Sequence, residues 1–228
     1  MFDRIAPRYD LLNRVLSMRR DVVWRRRVAA LLPERESLEV LDLATGTGDV
    51  LIALHGANPR VESGVGLDMS GGMLALGQEK LEERGLGSRF RMVRGDAMSI
   101  ALGDDTFDAI TIAFGIRNVM NVETALREML RTLRPGGRVL ILEFSLPTNW
   151  FIRVVYLLYF RHILPFLGGI VSGDRAAYQY LNKSVESFPY GEDFTALMHD
   201  VGFADVKAYP QSFGIATIYL GDKPETVS

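Results

Sequence analysis

A glycine-containing turn and two aspartates in the first half of the chain have the types and spacing of a nucleoside-binding site. Gly46-Thr47-Gly48 follows a short apolar run, and glycine allows backbone to approach a ligand closely. Asp68 ends a second run 22 residues after Gly46, where a carboxylate can accept both hydroxyls of a ribose. Asp96 follows a third run, in a position suited to an adenine amino group or its surroundings.

The ligand predicted from this pattern is S-adenosylmethionine (SAM), because the turn lacks the third glycine of a dinucleotide-binding loop. Leu51 stands where that glycine would be, and a pyrophosphate loop needs it for close packing of helix on strand. SAM carries no phosphate, so the pattern favours it over NAD. Taken singly, each feature has a plainer explanation, since a G-x-G is often only a tight turn and strand-end aspartates often cap helices.

The elements that position these residues follow from alternating apolar runs and helical segments. We expect strands at 38–44, 65–68, 91–94, 107–114 and 138–144, and helices at 17–32, 50–55, 69–84, 122–133 and 192–201. Strands alternating with helices predict an α/β fold with a mostly parallel, doubly wound sheet. Two last runs, 203–209 and 213–220, predict a terminal antiparallel hairpin connected by Pro210-Gln211-Ser212.

Composition excludes several classes of protein. The chain has 228 residues, 48% hydrophobic and 24% charged, which is typical of a single globular domain. It has no cysteine, so disulfides and thiolate metal sites are excluded, and its three scattered histidines predict no metal centre. The net charge of −2 predicts no nucleic-acid partner. The first residues lack the apolar run of a signal peptide, so we expect a cytoplasmic protein.

The alternation is interrupted after residue 145 by an apolar, aromatic segment. Residues 150–171 are long enough for a membrane span but contain Arg153, Arg161, His162 and Pro165, and each central arginine would cost roughly 2.5–3.5 kcal/mol in a bilayer. We therefore predict a helical insertion after the fifth strand instead of a span. The expected division is a helical cap at 1–33, a core at 34–145 and 190–228, and an insertion at 146–189.

Four segments resemble the ubiquinone/menaquinone biosynthesis C-methyltransferases, and the resemblance covers essentially the whole chain. They are residues 1–13, residues 114–119 (Phe-Gly-Ile-Arg-Asn-Val), residues 134–145 and residues 177–189. The Arg-Pro-Gly-Gly turn at 134–137 occurs in many methyltransferases, whereas the other segments are more restrictive. One departure is Ala113, where the family commonly has serine, so that a side-chain hydrogen bond is lost while a backbone contact remains available.

The resemblance implies a class I SAM-dependent methyltransferase fold of Rossmann-like type, SAM as methyl donor, no metal and a prenylated quinol as acceptor. The predicted donor-binding residues are Gly46, Thr47, Gly48, Asp68, Met69, Asp96, Ala97 and Ala113. The implied reaction is methylation of demethylmenaquinol. The ubiquinone-pathway benzoquinol, or both rings, remains an alternative. A non-catalytic SAM-binding subunit of a quinone-synthesis assembly is an alternative of another class.

The acceptor carbon of a quinol becomes nucleophilic when the neighbouring hydroxyl loses its proton. A cation or donors that favour the quinolate are therefore required, and we predict that Arg117 and Asn118 supply them. Arginine stays protonated, so Arg117 is expected to stabilise the quinolate or orient a water. The alternative is a structural ion pair that holds the insertion down. Tyr9, Tyr178 and Asp174 are secondary catalytic candidates.

The apolar insertion is predicted to form a lid over the prenyl tail and to contact the bilayer. Six arginines among residues 14–27 are most simply explained as a solvated helix face, and binding to an anionic membrane surface is the alternative. We therefore expect peripheral membrane association of the cytoplasmic protein. The oligomeric state stays open, with a homodimer among the alternatives.

Overall fold

A single seven-stranded sheet organises the residues that the computed structural model describes, 20–159, 184–185 and 188–225. The strands are β1 (Leu38–Leu43), β2 (Val61–Asp68), β3 (Phe90–Arg94), β4 (Phe107–Ala113), β5 (Leu133–Phe144), β6 (Ala204–Gln211) and β7 (Ala216–Asp222). The helices are α1 (Asp21–Ala30), α2 (Asp49–Ala57), α3 (Gly71–Glu83), α4 (Val122–Thr132), α5 (Trp150–Leu158) and α6 (Glu192–Val201). Short 3₁₀ turns cover Ile116–Asn118 and Ser212–Gly214.

The strand order β3-β2-β1-β4-β5-β7-β6 places the site. The first five strands run parallel, and β7 is antiparallel to both β5 and β6. The order reverses between β1 and β4, and the crevice at the carboxyl ends of strands at such a reversal is where open α/β sheets bind ligands. The predicted α/β fold with a terminal antiparallel hairpin is confirmed.

The central strands are apolar runs because helices cover both faces of the sheet. In β1 only Glu39 is not fully buried, and β4 is buried from Phe107 to Ile112. Two apolar clusters form the core, one on each side of the sheet, and include Leu51 and Leu54 of α2 and Leu126 and Met129 of α4. Such two-sided burial removes the alternation of polar and apolar residues that half-exposed strands show.

Three predicted boundaries were wrong, each for a local physical reason. The second strand begins at Val61 instead of 65, because Glu62 and Ser63 in its first half are polar and at least partly exposed, so that this half lacks an apolar run. Gly64 is required inside the strand, since a Cβ there would lie 2.6 Å from the Val40 carbonyl oxygen. β5 begins at Leu133 instead of 138, so that it includes the turn at 134–137. The turn shifts the register of β5 on β4: Phe107 pairs with Leu133, whereas Ala109 pairs with Arg138.

The third wrong boundary is the hairpin connection. β6 continues through Pro210 and Gln211, and the connection is Ser212–Gly214. Proline is tolerated there because β6 is an edge strand and needs no donor on its open side. The helix predicted at 17–32 is observed as Asp21–Ala30 within the described residues, and the insertion begins with α5, capped by the Asn149 side chain. The insertion beyond residue 159 lies largely outside the described residues.

Candidate active site

A cleft opens at the carboxyl ends of β1, β2 and β4 and the loop after β3. It encloses about 890 Å³, part of it continuous with solvent. Its walls are mostly apolar and contain two carboxylates. The lining residues are Ala44, Gly46, Leu67, Asp68, Met69, Met73, Gly95, Asp96, Ala97, Met98, Phe114, Gly115, Asn118, Val119 and Met120. This composition suits a ligand with an apolar body and a few polar groups.

The floor of the cleft is shaped by a backbone turn after β1. Ala44, Gly46 and Gly48 all have positive φ angles (48°, 56° and 77°), a conformation that suits glycine and strains alanine. Beneath the turn, the buried Asp42 carboxylate accepts hydrogen bonds from the hydroxyls of Thr45 and Thr111, both at 2.6 Å. Burial raises the pKa of Asp42 to about 7, against the lowering effect of the two hydroxyls.

Asp68 ends β2 with its carboxylate fixed by backbone groups. Its Oδ2 accepts from the Gly46 N–H at 2.9 Å, and its Oδ1 accepts from the Ser70 N–H at 2.8 Å. A carboxylate has about four acceptor positions, so each oxygen retains capacity for a ligand hydroxyl. Asp68 therefore ties the glycine turn to β2 and offers acceptors to the cleft at the same time.

Asp96 forms the neighbouring edge of the cleft. Its Oδ1 accepts from the Met98 N–H at 2.9 Å, and the preceding Gly95 N–H donates to the Asp68 main-chain oxygen at 3.0 Å. These bonds hold the loop after β3 against the end of β2. Ala97 and Met98 then complete an apolar wall beside the second carboxylate.

The opposite wall is the strained end of β4. Phe114 has a φ of 57°, and its ring packs 4.5 Å from that of Phe144 and 6.1 Å from that of Trp24 on α1. A Cβ on Gly115 would lie 2.5 Å from the Cβ of Ala44. Glycine at 115 therefore lets the ends of β1 and β4 meet at the cleft.

The turn after β4 carries the two residues predicted to act on the acceptor. Asn118 lines the cleft, and its buried Oδ1 has no hydrogen-bond partner among the residues that the structure describes. Arg117 does not line the cleft. Its Nη1 donates to Glu143 Oε1 at 2.6 Å and to the Phe114 carbonyl at 2.7 Å, and its guanidinium lies 5.5 Å from the Phe144 ring centre.

Thr47 takes part in a polar cluster beside the turn and not in the cleft wall. Lys80 Nζ donates to Thr47 Oγ1 at 2.7 Å and to Asp49 Oδ1 at 2.8 Å, while Arg25 of α1 donates to Asp49 Oδ2 at 3.0 Å. Burial raises the pKa of Asp49, but the hydrogen bonds and charges of Lys80 and Arg25 outweigh it and hold the pKa below its ordinary value. The cluster thus joins α1 and α3 to the start of α2.

The predicted site residues divide into three groups. Those that line one cleft are Gly46, Asp68, Met69, Asp96, Ala97 and Asn118. Those within two positions of lining residues, but not lining it themselves, are Thr47, Gly48, Ala113 and Arg117. Tyr9, Asp174 and Tyr178 lie outside the described residues.

The sequence analysis missed several residues of the site. Ala44, Met98 and Met120 carry no signal that separates them from other loop residues, whereas Gly115 lies in the segment 114–119 that carries the family resemblance. Glu143 also carries a signal. It is an acid in the otherwise apolar stretch from Val139 to Phe144, and such a residue requires a buried cation or several donors.

The cleft suits SAM as a ligand on structural grounds. Asp68 offers free acceptor positions to a ribose, and the wall beside Asp96 is apolar. Among the residues that the structure describes, no arginine or lysine lines the cleft. Within the described ranges, no three histidine or acidic side chains are grouped as a metal site would require.

Comparison with solved structures identifies the class. A putative S-adenosyl-L-methionine-dependent methyltransferase from Methanococcus maripaludis superposes with a TM-score of 0.70 over 99% of this chain and 95% of that one, at 19% identity. The sheet order and this superposition show the fold of the class I SAM-dependent methyltransferases.

The chain belongs to the ubiE/COQ5 methyltransferase family, whose model matches residues 1–223. It is 48% identical to the demethylmenaquinone methyltransferase of Thermus thermophilus over 98% of this chain and 100% of that protein. It is also 48% identical to the ubiquinone/menaquinone biosynthesis C-methyltransferase UbiE of Geobacter sulfurreducens, over 98% of this chain and 87% of that one.

Proposed function

We propose that this methyltransferase transfers the methyl group of SAM to a ring carbon of a prenylated quinol, with demethylmenaquinol as its preferred acceptor. The observation that carries the proposal is the 48% identity, over the full length of the relative, with a protein named demethylmenaquinone methyltransferase. The Geobacter relative carries a name that covers both pathways, so a benzoquinol acceptor is the second candidate.

The donor end of the cleft is assigned to Asp68 and Asp96. In this assignment Asp68 accepts the ribose hydroxyls through the acceptor positions left by Gly46 and Ser70, and Met69 and Ala97 cover the adenine. Bound SAM supplies a methyl group already activated by its positive sulfur. The protein therefore needs to hold the donor still and raise the electron density of the acceptor.

The acceptor end is assigned to the turn of Arg117 and Asn118. When the quinol hydroxyl releases its proton to solvent, the ring carbon gains the electron pair that bonds to the methyl as the methyl–sulfur bond breaks. Loss of the hydrogen from the same carbon then restores the aromatic ring. Donors near the hydroxyl oxygen stabilise the quinolate and lower the barrier, and Asn118 and Arg117 are the polar side chains of this turn.

The acceptor assay distinguishes the candidates. The purified chain is incubated with SAM carrying a labelled methyl group and, separately, with short-tailed demethylnaphthoquinol and benzoquinol. We expect transfer to the naphthoquinol with the higher kcat/KM and none to the oxidised quinones, which have no hydroxyl to ionise. Donor binding without transfer to either quinol would instead support the non-catalytic subunit.

We also propose that α5 lies against the membrane surface. Trp150 and Phe151 are 74% and 61% exposed, and Val154, Val155 and Leu158 are about half exposed. At 100° per residue these five side chains cover an arc of about 140°, while the buried Tyr156 faces the core. An apolar face of this width is suited to the boundary between lipid headgroups and acyl chains, where a prenylated acceptor resides.

None of the helices within the described ranges has the length and apolar content to cross a bilayer. We therefore test whether α5 binds the membrane peripherally, by co-sedimentation of the protein with neutral and anionic vesicles over a salt series. Trp150→Ser with Phe151→Ser should reduce binding and slow turnover of long-tailed quinols, with short-tailed analogues unaffected. Leu76→Ser, which changes a partly exposed leucine of α3, is the matched control. Equal vesicle binding by both variants would refute the surface.

A further inference from the structure

Glu143 of β5 is a fully buried carboxylate that contacts Arg117, in the turn after β4. Its Oε1 accepts from Arg117 Nη1 at 2.6 Å and from the Phe144 N–H at 2.8 Å, and its Oε2 faces the Arg117 N–H at 3.4 Å. Glu143 is 0% exposed and the Arg117 side chain 9%. A buried carboxylate is stable only when a cation and hydrogen-bond donors surround it, and this one has both.

These contacts fix the geometry of the whole turn after β4. The Glu143 carboxylate contacts both the main-chain N–H and the guanidinium of Arg117. The Phe114 carbonyl accepts a further hydrogen bond from Arg117 Nη1. Asn118, the next residue, reaches the cleft. A shift of the Glu143 carboxylate would therefore move the two residues assigned to the acceptor together.

The pair also sets the charge at this end of the cleft. The negative charge of Glu143 lies in contact with the positive charge of Arg117, so the two form a neutral unit in a buried setting. The buried Nε of Arg117 has no acceptor within the part of the chain that the structure describes. Arg117 thus retains a donor while most of its charge is compensated.

We propose that Glu143 is a positioning residue of the active site: by holding Arg117 it fixes the turn that presents Asn118 to the acceptor, and it limits the positive charge that the acceptor experiences. The inference rests on the proposed quinol methylation. In this proposal Glu143, which does not line the cleft, controls the pH range in which the quinol ionises.

Among the described residues, two tyrosines interact with the charges of the pair, and both ionise above the ordinary tyrosine range. They are Tyr156 of α5 and Tyr219 of β7, and burial raises the pKa of both. The remaining carboxylates of the cleft, Asp68 and Asp96, belong to the donor end. Asp42, whose pKa burial raises to about 7, bonds to Thr45 and Thr111 and not to the pair, so a change in the pH profile on altering Glu143 reports the acceptor hydroxyl.

Two variants separate charge from orientation. Glu143→Gln keeps an oxygen for Arg117 and for the Phe144 N–H but removes the compensating charge, so the kcat profile should move to lower pH by about one unit. Glu143→Asp keeps the charge but withdraws the carboxylate by one methylene, so kcat should fall about tenfold or more with the profile unmoved and the SAM Kd within about threefold. Glu39→Gln is the control, since Glu39 of β1 also pairs with an arginine, Arg134.

The readouts are the pH dependence of kcat with short-tailed quinol and the SAM affinity by calorimetry. An unmoved profile in folded Glu143→Gln would overturn the proposal, as would a Glu143→Asp variant with wild-type kcat or with equal losses of kcat and donor affinity. If Glu143→Gln does not fold, the Glu143→Asp result decides. Absence of methyl transfer by the wild-type chain would refute the proposed function instead.

Discussion

Replacing Asp68 by alanine should weaken donor binding and loosen the cleft floor, and the two effects can be measured separately. The carboxylate accepts two backbone N–H groups at 2.9 and 2.8 Å, from Gly46 and Ser70, and is assigned to the ribose hydroxyls. Hydrogen bonds to a charged group are worth about 1.5–3 kcal/mol. Loss of the ribose contacts alone should therefore raise the SAM Kd roughly 10- to 150-fold.

Calorimetric titration with SAM measures this loss, and thermal unfolding without ligand measures the second effect. Asp68→Ala should also lower the free energy of unfolding by about 1–3 kcal/mol, because the Gly46 and Ser70 N–H groups lose their partners. Glu62→Gln is the matched control, since it changes an exposed acid on the same strand. If folded Asp68→Ala binds SAM with wild-type affinity, the nucleoside lies elsewhere and the assignment of the cleft is wrong.

Three further changes test other parts of the structure. Arg117→Ala should reduce kcat about 100-fold or more and leave the SAM Kd within about threefold of the wild-type value. Part of the lost activity should be recovered at high pH, where the quinol ionises unaided. Equal losses of kcat and of SAM affinity would favour a purely structural ion pair. Asp42→Asn should gain stability over the wild-type chain above pH 7, by at most about 4 kcal/mol, because the raised pKa makes ionised Asp42 costly in the folded state. That advantage should shrink in denaturant titrations as the pH falls toward 4. Gly115→Ala should lower the unfolding free energy by about 1–3 kcal/mol, since its Cβ would overlap that of Ala44.

Much of the fold could be predicted because the sheet is buried on both faces. β1 and β4 are mostly apolar and, apart from Glu39 and Ala113, fully buried, so their positions follow from the pattern of apolar residues. The glycine turn and Asp68 come immediately after such runs, and parallel strands bring their carboxyl ends to one edge of the sheet. The sequence therefore predicted that Gly46, Asp68 and Asp96 would line one cleft.

Other features could not be predicted, because they depend on pairing between distant residues. The positive φ angles of Ala44 and Phe114 are imposed by packing at the ends of β1 and β4, since neither residue type favours that conformation. Arg117 was expected to face the acceptor or to hold the insertion down. Its partner is Glu143 of β5, and only the folded sheet brings the two together.

In the proposed reaction, this chain forms a carbon–carbon bond on a quinol ring in the cleft at the carboxyl ends of β1, β2 and β4. The most direct test is to incubate the wild-type chain with SAM carrying a ¹³C-methyl group and reduced demethylnaphthoquinol, and to record the ¹³C spectrum of the product. The account predicts a single ring-bound methyl signal, absent with the oxidised quinone and strongly reduced with Asp68→Ala. An oxygen-bound methyl signal, or SAM that remains unconsumed while it binds, would contradict it.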